Sequence, residues 1–168
     1  MSTRLRSRLS TFALAAFVAM AMAVPATGQA DDGRKRPRVV AAEPEVVPVG
    51  ERAAQAALKA VGVPYRWGGE SPSSGFDCSG LIRWAYGRVG IDLPHSSYAL
   101  YGEGRRVSES RLEPGDVLFF EGLGHVGLYL GRGRMVHAPQ SGRHVEVVRL
   151  DTAGYDGRLI GARRVVPT

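Results

Sequence analysis

Apolar residues along the chain change their spacing several times, and each change marks a boundary. From Phe12 to Val24 they run unbroken for thirteen residues. From Asp31 to Val49 (DDGRKRPRVVAAEPEVVPV) the chain is charged, contains proline and shows no period. Between Glu51 and Val61 the spacing of Ala54, Leu58 and Val61 predicts a helix, with Gly62-Val63-Pro64 as its stop. A second helix is predicted over Cys78–Val89, carrying Leu81, Ile82, Trp84, Ala85 and Val89 and closed by Gly90, and a third, short one over Ser96–Tyr101. Beyond Gly104 the pattern becomes strand-length apolar runs between glycine-rich turns: Val117–Phe120, His125–Leu130, Arg134–His137, Val145–Val148 and Ala162–Val166. Such runs favour an antiparallel meander. Helices followed by strands predict an α+β domain rather than an alternating α/β one.

The unbroken apolar run has the features of an export signal. Arg4, Arg6 and Arg8 precede it, no acidic residue appears before Asp31, and Ala23, Ala26 and Ala30 offer small residues for cleavage. Thirteen residues suit a signal core and fall short of the ~20 needed to span a bilayer. The expected organisation is a signal peptide over 1–30, a linker over 31–49 and one catalytic-size domain over 50–168, with no stable membrane insertion. The exported product would reside in the periplasm or outside the cell.

The formal charge of +6 falls to +3 once the three leader arginines are removed, a modest excess that could suit an anionic polymer or solubility alone. No basic run interleaved with aromatics suggests nucleic acid. The oligomeric state is not encoded in any of these features.

Cysteine usage narrows the chemistry. A single cysteine in a chain of 168 residues cannot form an internal disulfide, even in an oxidising compartment. Cys78 lies in Gly75-Phe-Asp-Cys-Ser-Gly, where Asp77 is a favourable N-cap and would place the thiol in the first turn of the second helix. There the unpaired N–H groups and the helix dipole favour thiolate, and the same donors could hold an oxyanion. Small and polar neighbours predict an accessible thiol.

A thiol nucleophile needs a base. His125 opens a predicted strand between Gly124 and Gly127, which would leave space around its ring, and His137 closes the next strand. Paired as a hairpin, the two strands would set both imidazoles at one end of the sheet, with His137 orienting His125. His95 and His144 read as loop residues without a role. Metal-ligand spacing of the C-x₂-C or H-x₃-H kind is absent, so no metal is expected.

The domain resembles the NlpC-type (NlpC/p-sixty) cell-wall cysteine peptidases. The resemblance rests on seven pieces in order: Pro64-Tyr-Arg-Trp-Gly-Gly, Phe76-Asp-Cys-Ser-Gly-Leu, Leu93-Pro-His-Ser-Ser, Leu112-Glu-Pro-Gly-Asp-Val-Leu-Phe-Phe, Gly124-His-Val-Gly-Leu-Tyr-Leu-Gly, Met135-Val-His-Ala-Pro and Gly161-Ala-Arg-Arg-Val. It implies a circularly rearranged papain-like fold, with Cys78 as nucleophile, His125 as base and His137 as third polar residue. It further implies that the Tyr65 hydroxyl lies near the sulfur, and that Asp77 and Ser79 line a pocket for the amine end of a peptidoglycan stem peptide. The implied reaction is hydrolysis of a stem-peptide amide, usually D-glutamyl to diamino acid, through a thioester and without a cofactor. Many members carry Arg or another polar residue where this chain has His95. Two other functions share the fold: fatty-acyl transfer, which would need an apolar channel, and wall binding by a degenerate domain, which would have lost the Cys–His pair.

Overall fold

The computed structural model describes residues 46–166, so the expected signal peptide and most of the expected linker lie outside the described residues. Helix α1 spans Val49–Leu58 and helix α2 spans Cys78–Gly87. Both begin on or before the expected residue and end two or three residues early. The face of α1 also differs from expectation. Ala53, Ala54, Ala56 and Ala57 are buried, whereas Leu58 and Val61 are about half exposed. Small residues win the buried face because the helix packs closely: a Cβ on Gly50 would meet the Pro114 carbonyl at 3.1 Å.

On α2 the apolar positions are buried as their spacing predicts, with Leu81, Ile82, Ala85 and Tyr86 fully enclosed. Each large aliphatic side chain of this kind removed from water stabilises the fold by roughly 1.5–3 kcal/mol. The Tyr86 hydroxyl donates to the Gly115 carbonyl at 2.6 Å, which fastens α2 to the turn before the central strand. A two-stranded hairpin, β1 (Glu70–Ser71) and β2 (Gly75–Phe76), leads into α2. The short helix α3 spans Ser97–Leu100.

The main sheet is antiparallel and contains β3 (Arg105–Val107), β4 (Val117–Phe120), β5 (Val126–Gly131), β6 (Arg134–His137), β7 (Glu146–Arg149) and β8 (Leu159–Arg164), in the order β3-β8-β4-β5-β6-β7. The expected meander holds for β4 through β7. The last strand then crosses back to the other side of β4, and β3, two arginines and a valine at the sheet's edge, pairs outside it. All four residues of β4 are buried because both faces are covered: Val117 and Phe119 join the cluster under the helices, Leu118 and Phe120 the cluster behind the sheet. At the start of β4, buried Asp116 receives both Nε and Nη2 of Arg164 at 2.7 and 2.8 Å, a bidentate pair that joins the Pro-Gly-Asp turn to β8.

Where α2 meets the loop before β1, no room is left for a side chain. A Cβ on Gly80 would collide with the Gly69 carbonyl. Gly80→Ala is therefore expected to destabilise the domain by about 1–3 kcal/mol, read as a lowered urea midpoint with unchanged slope. Gly87→Ala, at a position with open space, should not lower the midpoint.

Candidate active site

Asp77 caps α2 with its side chain, as expected. Its Oδ1 accepts from the Gly80 N–H at 2.7 Å and from the Ser79 hydroxyl at 3.2 Å. The cap leaves Cys78 as the first helical residue, half-buried at the helix N-terminus. The same carboxylate does more than cap. Its Oδ2 accepts from the Gly68 N–H at 2.8 Å, and His95 Nε2 lies 2.9 Å from Oδ1, where it must carry the proton because a carboxylate only accepts. His95 Nδ1 is 3.4 Å from Glu70. His95, read from the sequence as a loop residue without a role, is therefore part of the site. With four donors in place, Asp77 keeps little acceptor capacity for a substrate amine, and the Ser79 hydroxyl is turned toward Asp77.

The electrostatic balance at the sulfur differs from the expectation. Burial pushes the Cys78 thiol above its ordinary pKa, and the Asp77 carboxylate adds to the rise. The backbone N–H groups of Val126, Ser79 and Cys78 itself pull the other way without prevailing. Helix-end donors are present, but desolvation outweighs them, so the resting group is the thiol. The Val126 N–H places the sulfur against the start of β5, where His125 is the preceding residue.

His125 precedes β5 rather than opening it, and its carbonyl accepts from the Phe120 N–H at 3.1 Å to close the turn. That turn is held from outside: the Ser97 hydroxyl donates to the Leu123 carbonyl at 2.6 Å and the Tyr98 hydroxyl to the Gly122 carbonyl at 3.0 Å. Leu123 sits at φ 54°, a left-handed conformation costly for leucine, and these bonds help hold it there. His137 ends β6 as expected and is 1% exposed.

The two rings meet edge to face, with His125 Nε2 2.8 Å from His137 Nδ1. Both are pushed down to about 4, His125 by burial, then by His137 and Arg158, and His137 by burial, then by Arg143. Two neutral imidazoles share one proton between those nitrogens, which leaves His125 Nδ1 as its uncommitted atom. Gly124 does leave open space, but Gly127 does not: a Cβ there would lie 2.6 Å from the Met135 sulfur and 3.5 Å from the His137 Cβ. Gly127 serves close packing of β5 on β6.

The cleft beside Cys78 encloses about 360 Å³ and is lined by Trp67, Asp77, Ser79, His95, Ser97 and Tyr98 among others. Tyr65 is not among the residues lining this cleft, but it lies close enough to Cys78 and Asp77 that, after burial, their charges raise its hydroxyl above the usual pKa. A slightly larger hollow, about 400 Å³ between α1 and α2, is lined by Arg52, Lys59, Trp84 and Arg88 and contains no nucleophile. Three contributors besides His95 went unread in the sequence. Trp67 and Tyr98 form an exposed aromatic rim. Tyr155 packs on both histidines, with ring centroids 5.8 Å from His125 and 5.3 Å from His137. Its flanks, Gly154 and Asp156, carry no motif that could have singled it out.

The imidazole pair makes folding stability depend on pH. In the unfolded chain each ring titrates near 6.5, in the folded chain near 4, so the unfolded state binds more protons between those values. Stability is therefore full above about pH 6.5 and is lost as the pH falls toward 4. The Tm should drop across that window in calorimetry, and less steeply in His137→Gln, which removes one titrating ring. An unchanged slope in that variant would show that His137 does not titrate there.

Comparison with known proteins extends these observations. Residues 62–164 match the NlpC/P60 family profile. A probable endopeptidase of Mycobacterium tuberculosis is 53% identical over 114 residues, covering 65% of this chain and 29% of that protein. The bifunctional muramidase/DL-endopeptidase CwlT of Bacillus subtilis is 44% identical over 92 residues, covering 51% of this chain and 28% of its own length. The chain thus spans under a third of these curated relatives. Among solved structures, an NlpC/P60 family protein from Bacillus cereus superposes with a TM-score of 0.67 at 35% identity, over 73% of this chain and 42% of that one. An α+β sheet-and-helix core, a thiol at a helix start, a buried imidazole pair and a family match over most of the described domain agree: the chain belongs to the NlpC/P60 family.

Proposed function

We propose that the chain is an exported cysteine endopeptidase that hydrolyses amide bonds in peptidoglycan stem peptides. The observation that carries this reading is the seam between α2 and β5. There a thiol at a helix N-terminus accepts from the N–H of Val126, the residue after His125, and the His125 Nε2 is bonded to a second, buried imidazole. The catalytic residues in this reading are Cys78, His125 and His137, with Asp77 and Ser79 lining the substrate side and Tyr65 close to Cys78.

With His125 Nε2 committed to His137, Nδ1 takes the Cys78 proton as the sulfur attacks the amide carbonyl. The Cys78 N–H, at the open end of α2, is placed to receive the oxyanion. The His125 imidazolium then protonates the departing amine, the carbon–nitrogen bond breaks, and a thioester remains. Water, deprotonated by His125, attacks the thioester and releases the acid and the thiol. His137 holds the His125 ring in direction and tautomer. No step requires a cofactor.

The substrate reading is supported by the family and by a cleft that sets the polar groups of Asp77, Ser79, His95 and Ser97 beside the rings of Trp67 and Tyr98. The DL-endopeptidase name of the Bacillus relative favours the D-glutamyl to diamino acid bond. Export is supported by the arginine-led apolar segment from Phe12 to Val24, which points to the periplasm or the cell exterior. N-terminal sequencing of protein recovered from its native envelope should begin near Asp31; a mature chain starting at Met1 or Ser2 would contradict export by cleavage.

Incubation of residues 31–168 with purified peptidoglycan should release fragments whose masses correspond to cleavage after D-glutamate. Fragments cut at a cross-link instead would reassign the bond. Cys78→Ser and His125→Ala should each abolish turnover with the thermal transition retained, and the double variant should be little worse than either, because the two act as a unit. His137→Gln should keep part of kcat/KM, since a side-chain amide can still bond His125, while His137→Ala loses more. Unmutated activity in His137→Ala would leave only Cys78 and His125 in the mechanism.

A further inference from the structure

His137 has one bonded nitrogen and one orphan. Its Nε2 is a buried side-chain atom without a hydrogen-bond partner, and such atoms are costly enough to call for an explanation. The nearest charged oxygen is Glu146 Oε1, at 3.7 Å. This proximity follows from strand register: His137 on β6 stands directly opposite Glu146 on β7, the pairing in which cross-strand side chains interact. Glu146 is itself held, because Arg143 Nη2 donates to both of its oxygens at 2.8 Å. Arg143 is anchored in turn by its carbonyl, which accepts from the Tyr65 N–H at 2.8 Å.

We infer that Glu146 is a positioning residue for the Cys78–His125 pair, whose carboxylate holds His137 in the Nε2–H tautomer. The inference rests on the catalytic reading of Cys78 and His125 given above. A proton count along the four nitrogens of the two rings shows why. A neutral His137 carries one ring proton. If that proton sits on Nε2, it points at the Glu146 carboxylate, and Nδ1 becomes an acceptor. His125 then donates from Nε2 to His137, and its own Nδ1 is left with a lone pair to take the Cys78 proton.

In the opposite tautomer every role reverses. His137 Nε2 presents a lone pair to a carboxylate, His137 Nδ1 donates to His125, and the His125 proton is forced onto Nδ1, the atom that must accept. That arrangement silences the base. A carboxylate behind a histidine selects one tautomer in this manner wherever the second nitrogen has work to do.

The remaining charges around His137 fit the same role. Arg143, which faces it from the β6–β7 connection, discourages a proton charge on His137 and so keeps it a neutral relay. Arg158 acts likewise on His125, and Tyr155 covers both rings. Glu146 is the anionic group within salt-bridge distance of His137 Nε2 among the described residues. Closing the 3.7 Å gap to a hydrogen bond takes a small rotation of the Glu146 carboxylate together with its Arg143 partner, both of them partly exposed.

The test is ¹⁵N NMR of histidine-labelled protein at pH 7, which reads the tautomer without any substrate. The proposal expects His137 protonated on Nε2 in the unmutated domain and in Glu146→Gln, whose amide oxygen still accepts, and a shift toward Nδ1–H in Glu146→Ala. On a defined stem peptide, Glu146→Ala should lower kcat about tenfold, the size expected for losing one charge-assisted hydrogen bond, with KM nearly unchanged and Glu146→Gln largely restored. In a His137→Ala background the Glu146→Ala change should add nothing, since its effect passes through His137. Unmutated protein with His137 protonated on Nδ1 would overturn the proposal even if no variant folds. So would an unchanged tautomer in Glu146→Ala, or losses that add in the double variant. If the peptide is not cleaved at all, the substrate reading fails separately, and iodoacetamide alkylation of Cys78 decides. Slower alkylation in Glu146→Ala supports the positioning role, and an equal rate overturns it.

Discussion

Asp77 is buried, and the protein itself supplies donors to both of its oxygens. Through Gly80 and Ser79 it caps α2 and fixes the residue after it at the helix start. Through Gly68 it binds the loop that carries Tyr65 and Trp67, and through His95 it binds the segment leading to α3. α3 in turn grips the turn before His125 through Ser97 and Tyr98. Cys78, the aromatic rim and the turn before His125 are thus placed by bonds that lead back to one carboxylate. Losing it would remove an N-cap, worth ~1 kcal/mol in an ordinary helix, and would also leave several buried donors without a partner, which costs more.

The imidazole pair poses the opposite problem, since two ionisable rings are enclosed and the carboxylate beside them, Glu146, is already paired with Arg143. Each stays neutral, as the fall of both to about 4 reflects. Neutrality is tolerable here because the rings satisfy each other across 2.8 Å and Tyr155 and Phe120 cover their faces. The fold gives up stability in acid as the consequence. Close approach of β5 and β6 is what brings the rings together, and Gly127 permits it by presenting no side chain to Met135 or His137.

Much of this was readable from residue pattern. The apolar periods of α2, β4 and β6 and the Asp77 cap follow from local spacing, because each depends on neighbours within one element, and the placement of two histidines at one sheet end needs only the pairing of two consecutive strands. Features that depend on partners distant in the chain were not readable. The edge strand β3 has no alternation of its own and exists because β8 offers it a ladder. The α1 face was misassigned because alanines, not Leu58, fit the short distance to the turn at Gly115. His95 looked like a loop residue because its partners, Glu70 and Asp77, lie on a hairpin and a cap that fold back onto it. Tyr155 and Glu146 had no motif at all. The thiol's state was misjudged for a different reason: a helix terminus can be seen in sequence, but the burial that outweighs it cannot.

A neutral thiol and a neutral imidazole change what the surrounding groups are for. On the proposed chemistry the charged pair forms only when the sulfur attacks, so donors near the sulfur matter most at that moment. The N–H groups of Val126, Ser79 and Cys78 are already aimed there, and fixed dipoles of this kind need no reorganisation as charge develops. The proton that leaves the sulfur passes through His125 to the departing amine, and the attacking water restores it to the thiol, so no net proton is taken up or released over the cycle.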